Sequence, residues 1–500
     1  MITKADRSSL PRKRTRCRLW ILAGSLALVL RSTLPAAEIL TLEKALEFAF
    51  RNSPSIQEAV YRLKTSGENL KAQQAGLKSQ FSLTLNPINL SDTRTFSDLT
   101  SSYNTVNVTK SAASFSMRQP IKWTDGTLTV TDSFNWQEAS SSYVGGNKAG
   151  SFNNSLYLKF SQPLFTYNRT TMQIKELELS LENAQLNYAI QKLSIERQVT
   201  QQFLNLYYNR ESVKIAQEEF KNADEQLKII ESKVQAGIAA QGELYQADLT
   251  RLSSQASLEN KQIQYANAMD SFKILIGMPL DNDIEIVTDI RKHLVEVDLQ
   301  KAIVQGLGNR MELRQRDISI QTALDALIQA GAQNEFKAQV DLTLGLTGVN
   351  KAFQNIYQSS NVDQVVAVTV NIPVFDWGQK KHVLAASQAQ VDTQKLSLDE
   401  QKNQIQLDIR QAYRSLQNQK LQIEIAEKNT KNAQLTYDIN LERYKSGDLS
   451  SKDMQFYQQQ LSTQKLNEVS SLINYKLALL DIKIRSLWDF ENNISIVGKL

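Results

Sequence analysis

The sequence predicts a chain of mixed α-helix and membrane β-strand, built twice on one plan of helix, strands, long helix and return helix. Three observations predict it: an export leader with no apolar span after it, an internal repeat, and a hydrophobic period that switches between seven residues and two within each repeat.

The leader comes first. Lys4, Arg7, Arg12, Lys13, Arg14, Arg16 and Arg18 precede the apolar run Leu19–Leu30, and Thr33-Leu34-Pro35-Ala36-Ala37 closes the segment. A basic stretch, an apolar core of about 12 residues and a small-residue exit form a secretory signal peptide, too short to span a bilayer. Residues 1–37 are therefore expected to be cleaved, with the cut open by about a residue because the pattern before Ala37 departs from A-x-A. A retained N-terminal anchor is the alternative. Cys17, the only cysteine, stands before the apolar run and so is not placed as a lipidation site at the cleavage junction, and no disulfide or thiol chemistry is expected beyond it. Removing eight of the 57 basic and one of the 52 acidic residues leaves 49 against 51, so the mature chain is near neutral and its charge gives no argument for a basic nucleic-acid surface. No later stretch approaches 18 consecutive apolar residues, which leaves periplasm, medium, or outer-membrane β-structure.

The chain then repeats itself. Leu42-Glu43-Lys44-Ala45-Leu46 with Asn52 reads against Leu299-Gln300-Lys301-Ala302-Ile303 with Asn309, an offset of 257. Gln162-Pro163-Leu164-Phe165 reads against Ile372-Pro373-Val374-Phe375, and Gln235-Ala236-Gly237 against Lys445-Ser446-Gly447, both at an offset of 210. The change of offset puts 47 extra residues in the first copy, between its opening helix and Pro163. The first repeat is expected over 38–290 and the second over 291–490, with 491–500 as a tail. Each copy opens with a helix of about 40 residues (43–80, 299–337) and passes through strands (about 80–165, 338–375). A long helix (about 168–235, 378–445) and a return helix (about 240–276, 450–487) complete it.

In the first long helix Leu206, Val213, Ala216, Phe220, Ala223, Leu227, Ile230 and Val234 step by seven and then by three and four; in the second, Leu416, Ile423, Thr430, Tyr437 and Tyr444 step by seven. That is a coiled-coil seam with polar residues elsewhere. A helix of about 68 residues rises ~100 Å, more than a globular domain's diameter. The strands alternate instead. Val366, Val368, Val370, Ile372 and Val374 share one face, as do Val340, Leu342, Leu344 and Leu346. In the first copy Leu128, Val130, Phe134 and Trp136 do so, and Leu156, Leu158, Phe160 and Leu164. One greasy and one polar face over nine to eleven residues suits an outer-membrane barrel wall, with Trp123, Trp136 and Tyr143 placed for the headgroup level. So few strands do not close a barrel, and an open sheet edge is not tolerated in lipid, so if the strands are in the membrane several copies must contribute to one ring around a polar lumen.

This duplicated plan is similar to the TolC family of outer-membrane efflux and export proteins over residues 40–490. Ser161-Gln162-Pro163-Leu164-Phe165 before the first long helix carries the resemblance, as do Ile276-Gly277-Met278-Pro279 at the end of the first copy and a glycine turn followed six residues later by an acid. The resemblance implies a homotrimer with a shared 12-stranded β-barrel and a long α-helical periplasmic tunnel in the outer membrane of a Gram-negative bacterium. It further implies a passive exit duct of a tripartite efflux or type I secretion system. The implied partners are outer-membrane lipid, a periplasmic adaptor and an inner-membrane transporter of RND, ABC or MFS type. The 47 extra residues depart from the family. Residues 110–138, with Gln119-Pro120 and Asp125-Gly126, read as an additional hairpin that either enlarges the extracellular rim or adds strands, so 12 is left open.

The periplasmic tip is expected at Gly237 and Gly447, where glycine lets long helices reverse. By the resemblance, Ala236, Gly237, Ile238, Ser446, Gly447 and Asp448 are the adaptor-docking tips; a plain helix–helix turn is the alternative. Glu243 and Asp453 follow the glycines by six residues and in a symmetric assembly each becomes an acidic ring, a device that favours cations. The resemblance makes Glu243, Asp453 and Tyr444 a periplasmic gate, with Tyr444 toward Glu243, and puts Phe456 where the family has a second aspartate. Solvated or seam positions are the alternative for all three. No catalysis and no cofactor are expected: His293 and His382 are the only histidines, and no metal spacing, nucleophile elbow or phosphate loop is present. A secreted coiled-coil adhesin or fibre accounts for the heptads and leader but not for the strands and duplication. An adaptor would need lipoyl-like β-domains flanking a single hairpin.

Overall fold

A computed structural model describes residues 38–98, 101–141, 147–287, 292–358 and 360–499; the leader with Cys17, and Tyr143, lie outside the described residues. The first copy runs β1 (Glu38–Leu40), α1 (Leu42–Asn52), α2 (Pro54–Gly76), β2 (Gln80–Ser97), β3 (Ser102–Ile121), β4 (Gly126–Ser141), β5 (Lys148–Leu164), α3 (Arg169–Gln235), α4 (Gln241–Ile276) and β6 (Ile284–Ile286). The second runs α5 (Leu299–Asn309), α6 (Met311–Gly331), β7 (Lys337–Asn350), β8 (Asn361–Asn371), α7 (Gln379–Ser446) and α8 (Ser451–Ser486), then two short paired strands, β9 (Trp488–Asp489) and β10 (Ile494–Ser495).

The opening helices differ from the single 40-residue rods expected at 43–80 and 299–337. Each is two helices, broken at Ser53 (φ −58, ψ 129) and at the equivalent Arg310 (φ −66, ψ 127). In the first copy Pro54 forces the break: it supplies no N–H and drives the residue before it out of the α region. In the second no proline is present, and packing alone imposes the same geometry. Capping is shared as well. Thr41 accepts from the Lys44 N–H (3.4 Å), and the equivalent Asp298 accepts from Gln300 and Lys301 (2.8 and 3.2 Å).

The long helices hold 67 and 68 residues, so each is ~100 Å long at 1.5 Å per residue. Along α3 pack both α4 and α2, and along α7 pack α8 and α6, so each long rod faces a composite rod of two shorter helices. The joint in the first composite rod lies where the end of α4 meets the end of α1. Gly277 caps α4 in the left-handed region (φ 78), and a Cβ on it would run into the Asn52 backbone. The second copy places Leu487, fully buried, in the same left-handed position (φ 55).

The heptad reading holds. Leu206, Ala216, Ala223 and Ile230 of α3, and Leu416, Ile423, Tyr437 and Tyr444 of α7, are buried, while Thr430 is half-buried with its hydroxyl on the Gln464 carbonyl (3.0 Å). Among the described residues, buried apolar clusters lie at the helix joints and at the tip. The first copy's joint gathers Phe203, Phe272 and Ile276 with Ile284 and Ile286; the second gathers Ile405, Ile409, Tyr475 and Ile482. At the tip, Ile230 and Ala247 of the first copy pack with Tyr437, Tyr444, Met454 and Leu461 of the second. Burying each such side chain contributes about 1.5–3 kcal/mol, which fixes the pitch of rods whose outer faces are polar. No described helix is long and apolar enough to cross a membrane.

Candidate membrane wall and periplasmic tip

At one end of the rods stands a six-stranded antiparallel sheet in the order β2-β3-β4-β5-β7-β8. The extra residues of the first copy make β3 and β4, which pair with each other from Val106↔Ser141 to Ile121↔Gly126. Register puts Phe81, Met117, Val130, Leu158 and Leu344 in one row across five strands, and Leu128, Phe160, Leu342 and Val366 in the neighbouring row. The opposite face carries Ser82, Ser116, Thr131, Tyr157 and Asp363 in a row of their own. Side chains alternate across a strand, so the sheet has one apolar and one polar face. On β7 the apolar band runs from Ala338 to Leu346, and nine residues is the length a tilted strand needs to cross the hydrocarbon core.

Aromatic side chains bound that band. At the helix end Phe165 meets Phe336 (centroids 5.3 Å) and Phe375 meets Trp377 (4.7 Å), while Trp123, in the turn between β3 and β4, is 89 % exposed. At the far end Phe353 stands edge-on to Phe134 (5.4 Å) and Phe152 (6.0 Å), close to Trp136. A polar chain lies there too: Tyr357 donates to Asn154 Oδ1 (2.6 Å), and Asn154 donates to Asp132 (2.7 Å). Trp123 and Trp136 thus mark opposite ends of the sheet, an arrangement that matches two aromatic girdles.

The other end of the rods is the double turn. α3 ends with Ile238 N–H on the Lys233 carbonyl (2.8 Å) and Gly237 at φ 74; α7 ends with Asp448 N–H on the Arg443 carbonyl (2.9 Å) and Gly447 at φ 97. This is the glycine-terminated cap, in which the residues past the glycine pair carbonyls of the last helical turn. Ala236, Gly237, Ile238, Ser446, Gly447 and Asp448 are all exposed. Ser446 donates to Asp448 (2.8 Å).

The turns are joined through Tyr444. Its ring is fully buried, and its hydroxyl lies 3.3 Å from the Gln226 carbonyl and 3.3 Å from Ser451 Oγ. Lys233 Nζ donates to the Tyr444 carbonyl and sits over its ring (5.3 Å). Burial raises the Tyr444 phenol; the Ser451 hydrogen bond opposes this and the Glu243 charge adds to it. Glu243 accepts from the Ser451 N–H at 2.7 Å, an acid at a helix N-terminus, where the dipole favours negative charge. Tyr444 and Glu243 therefore meet through Ser451 rather than directly. Asp453 faces solvent, closing the first turn of α8: its N–H donates to Ser450 Oγ (3.2 Å), which donates back to its carboxylate (2.7 Å). Phe456 is 62 % exposed and packs edge-on against Tyr457 (5.5 Å). Sequence reasoning missed Lys233, Gln226 and Ser451. Only Ser451 left a trace, as part of the Ser-Ser pair that opens α8. His293 and His382 are exposed, and no group of potential metal ligands occurs among the described residues.

A membrane-facing sheet joined to rods ~100 Å long defines a duct that continues a transmembrane wall across an aqueous compartment. The profile of the outer membrane efflux protein family matches residues 127–277 and 302–483, and the chain belongs to that family. The fold is similar to the CmeC outer membrane channel of Campylobacter jejuni (TM-score 0.66, 15% identity, covering 92% of this chain and 88% of that one). It is similar to VceC of Vibrio cholerae (0.65, 16%, 89% and 95%) and to the open state of the MtrE outer membrane channel of Neisseria gonorrhoeae (0.64, 15%, 90% and 89%). No curated protein matches the chain. The protein is an outer-membrane efflux channel with its helices in the periplasm, a transport conduit and not an enzyme.

Proposed function

We propose that three copies form one channel that serves as the passive outer-membrane exit of a tripartite efflux or type I secretion assembly. The observation that carries this is the sheet: β2 and β8 have no partner on their outer edges among the described residues, and the face holding Leu158, Leu342 and Val366 is apolar and largely uncovered. An open edge in lipid leaves N–H and C=O groups unpaired at several kcal/mol each, so identical copies closing one ring resolve both demands.

In this reading a periplasmic adaptor docks on Ala236, Gly237, Ile238, Ser446, Gly447 and Asp448, six exposed residues at the far end from the sheet. An inner-membrane transporter of RND, ABC or MFS type delivers the cargo. Tyr444, Glu243 and Asp453 gate the entrance: the first two lie in the clasp between the two turns, and Asp453, repeated by symmetry, adds an exposed acidic ring. The test is to express the tagged chain in its own host, fractionate the membranes and identify what co-purifies. A heat-modifiable trimer in the outer membrane with an adaptor and a pump is expected. A soluble rod without them overturns the proposal in favour of a secreted fibre.

A further inference from the structure

The inserted hairpin lies within the sheet, between β2 and β5. β3 is hydrogen-bonded to β2 as far as Gln80↔Arg118 and to β4 as far as Ile121↔Gly126, and β4 continues to β5 from Thr127↔Ser161 to Ser140↔Lys148. Its turn is rooted at the helix end of the sheet. Asn168, the cap of α3, donates to the Lys122 carbonyl (2.7 Å), the Thr170 N–H donates to Asp125 (3.2 Å), and Gln119 donates to the Leu77 carbonyl at the end of α2 (2.8 Å). A rim flap would begin beyond the outer end of the neighbouring strands. These two strands begin near the base and cover the apolar band from the level of Asp341 to that of Leu346.

Their side chains are also in phase with the wall. Val130 and Leu128 stand level with Leu158 and Phe160 on the apolar face, while Thr129 and Thr131 stand level with Lys159 and Tyr157 on the polar face. The one acid on the apolar face of β4 within the band, Asp132, is level with Leu156 at its outer margin, where Asn154 donates to it.

Closure follows from direction. Six antiparallel strands leave β2 and β8 running opposite ways, so β8 of one copy meets β2 of the next as another antiparallel pair and the alternation is unbroken round the ring. One copy does not close on itself, because even eight strands leave an interior only just filled by side chains. We propose that β3 and β4 are wall strands of the closed barrel, so that three copies of the six-stranded sheet give eighteen strands. Barrel diameter grows about linearly with strand number, so this pore is about half as wide again as four strands per copy would make it. β4 lines it with the neutral hydroxyls and amide of Thr127, Thr129, Thr131, Ser133 and Asn135, beside Arg118 of β3 and Lys159 of β5 on the same face. The proposal rests on the three-copy reading above.

The test separates the two. In the full chain carrying Cys17→Ser, single nitroxide labels are placed at Leu128, Thr129, Val130 and Thr131, and at Leu158 as a reference, and the protein is reconstituted in phosphatidylcholine vesicles. Collision with oxygen, which concentrates in lipid, is compared with collision with a water-soluble nickel chelate. Oxygen should dominate at Leu128, Val130 and Leu158, and nickel at Thr129 and Thr131. Nickel dominance at all four β4 positions, with Leu158 still in lipid, overturns the proposal. Amine cross-linking of the same vesicles gives the copy number independently. A ladder ending at three supports the count of eighteen; one ending elsewhere overturns that count through the three-copy reading, while the label pattern still decides whether β4 is wall.

Discussion

The Ser451 N–H donates to the Glu243 carboxylate at 2.7 Å, across 208 residues of chain. It ties the first turn of α8 to the first turn of α4. Ser451 is nearly fully buried, and its hydroxyl also faces Tyr444 Oη (3.3 Å) and the Glu243 carbonyl (3.4 Å). In the gate proposed above, parting these hairpins would break this short chain of polar contacts.

Tyr444→Phe combined with Glu243→Gln is therefore expected to raise single-channel conductance in planar bilayers. Tyr444→Phe alone removes the hydroxyl's contacts with the Gln226 carbonyl and Ser451 and costs about 1–2 kcal/mol of stability; Tyr444→Ala, which leaves a cavity among Ile230, Met454 and Leu461, costs about 3–5 kcal/mol. Wild-type conductance in the double variant would count against the gate.

Charge placed on the two faces of β7 separates lipid from lumen. Leu344→Arg, on the apolar face, is expected to destabilise the inserted barrel by about 2–4 kcal/mol, whereas Thr343→Arg, on the polar face, is tolerated. Heat-modifiable mobility after reconstitution reads the difference, and equal loss in both variants would contradict the assignment of faces.

Two glycines with similar backbone angles should respond differently. Gly237→Ala meets open space and carries only the left-handed strain, about 1 kcal/mol; Gly277→Ala meets the Asn52 backbone as well and should lose several times that. Thermal unfolding of the two variants checks this.

Two carboxylates give opposite pH signatures. The hydrogen bond from Arg314 (2.6 Å) holds Glu182 below the ordinary glutamate value, against a smaller effect of burial. Its contribution is present above that ordinary value and is lost as pH falls through the lowered one. Both side chains are over a third exposed, so Glu182→Gln should remove no more than about 1 kcal/mol at neutral pH and flatten the acid limb. Burial pushes Glu219 up, opposed by its bond to Ser462, so its contribution is greatest at acid pH and is lost as pH rises through the raised value. Glu219→Gln is expected to stabilise the protein at neutral pH. Denaturant midpoints across the pH range distinguish the two.

The duplicated plan, the long seams and the strand faces were readable along the chain because periodicity is local: Leu416, Ile423, Tyr437 and Tyr444 lie on one stripe wherever the helix goes. The glycine turns were legible for the same reason. Tertiary structure alone decided the rest. Arg310 breaks a helix without a proline, Tyr444 reaches Glu243 only through Ser451, and Lys233 meets the Tyr444 carbonyl 211 residues away. The additional hairpin, readable as either rim or wall, was placed by hydrogen bonds from β3 to β2 and from β4 to β5, along two edges that its own residues do not specify. Alternation fixes which way a side chain points along its strand, but which strand lies beside it depends on contacts made after the whole chain has folded.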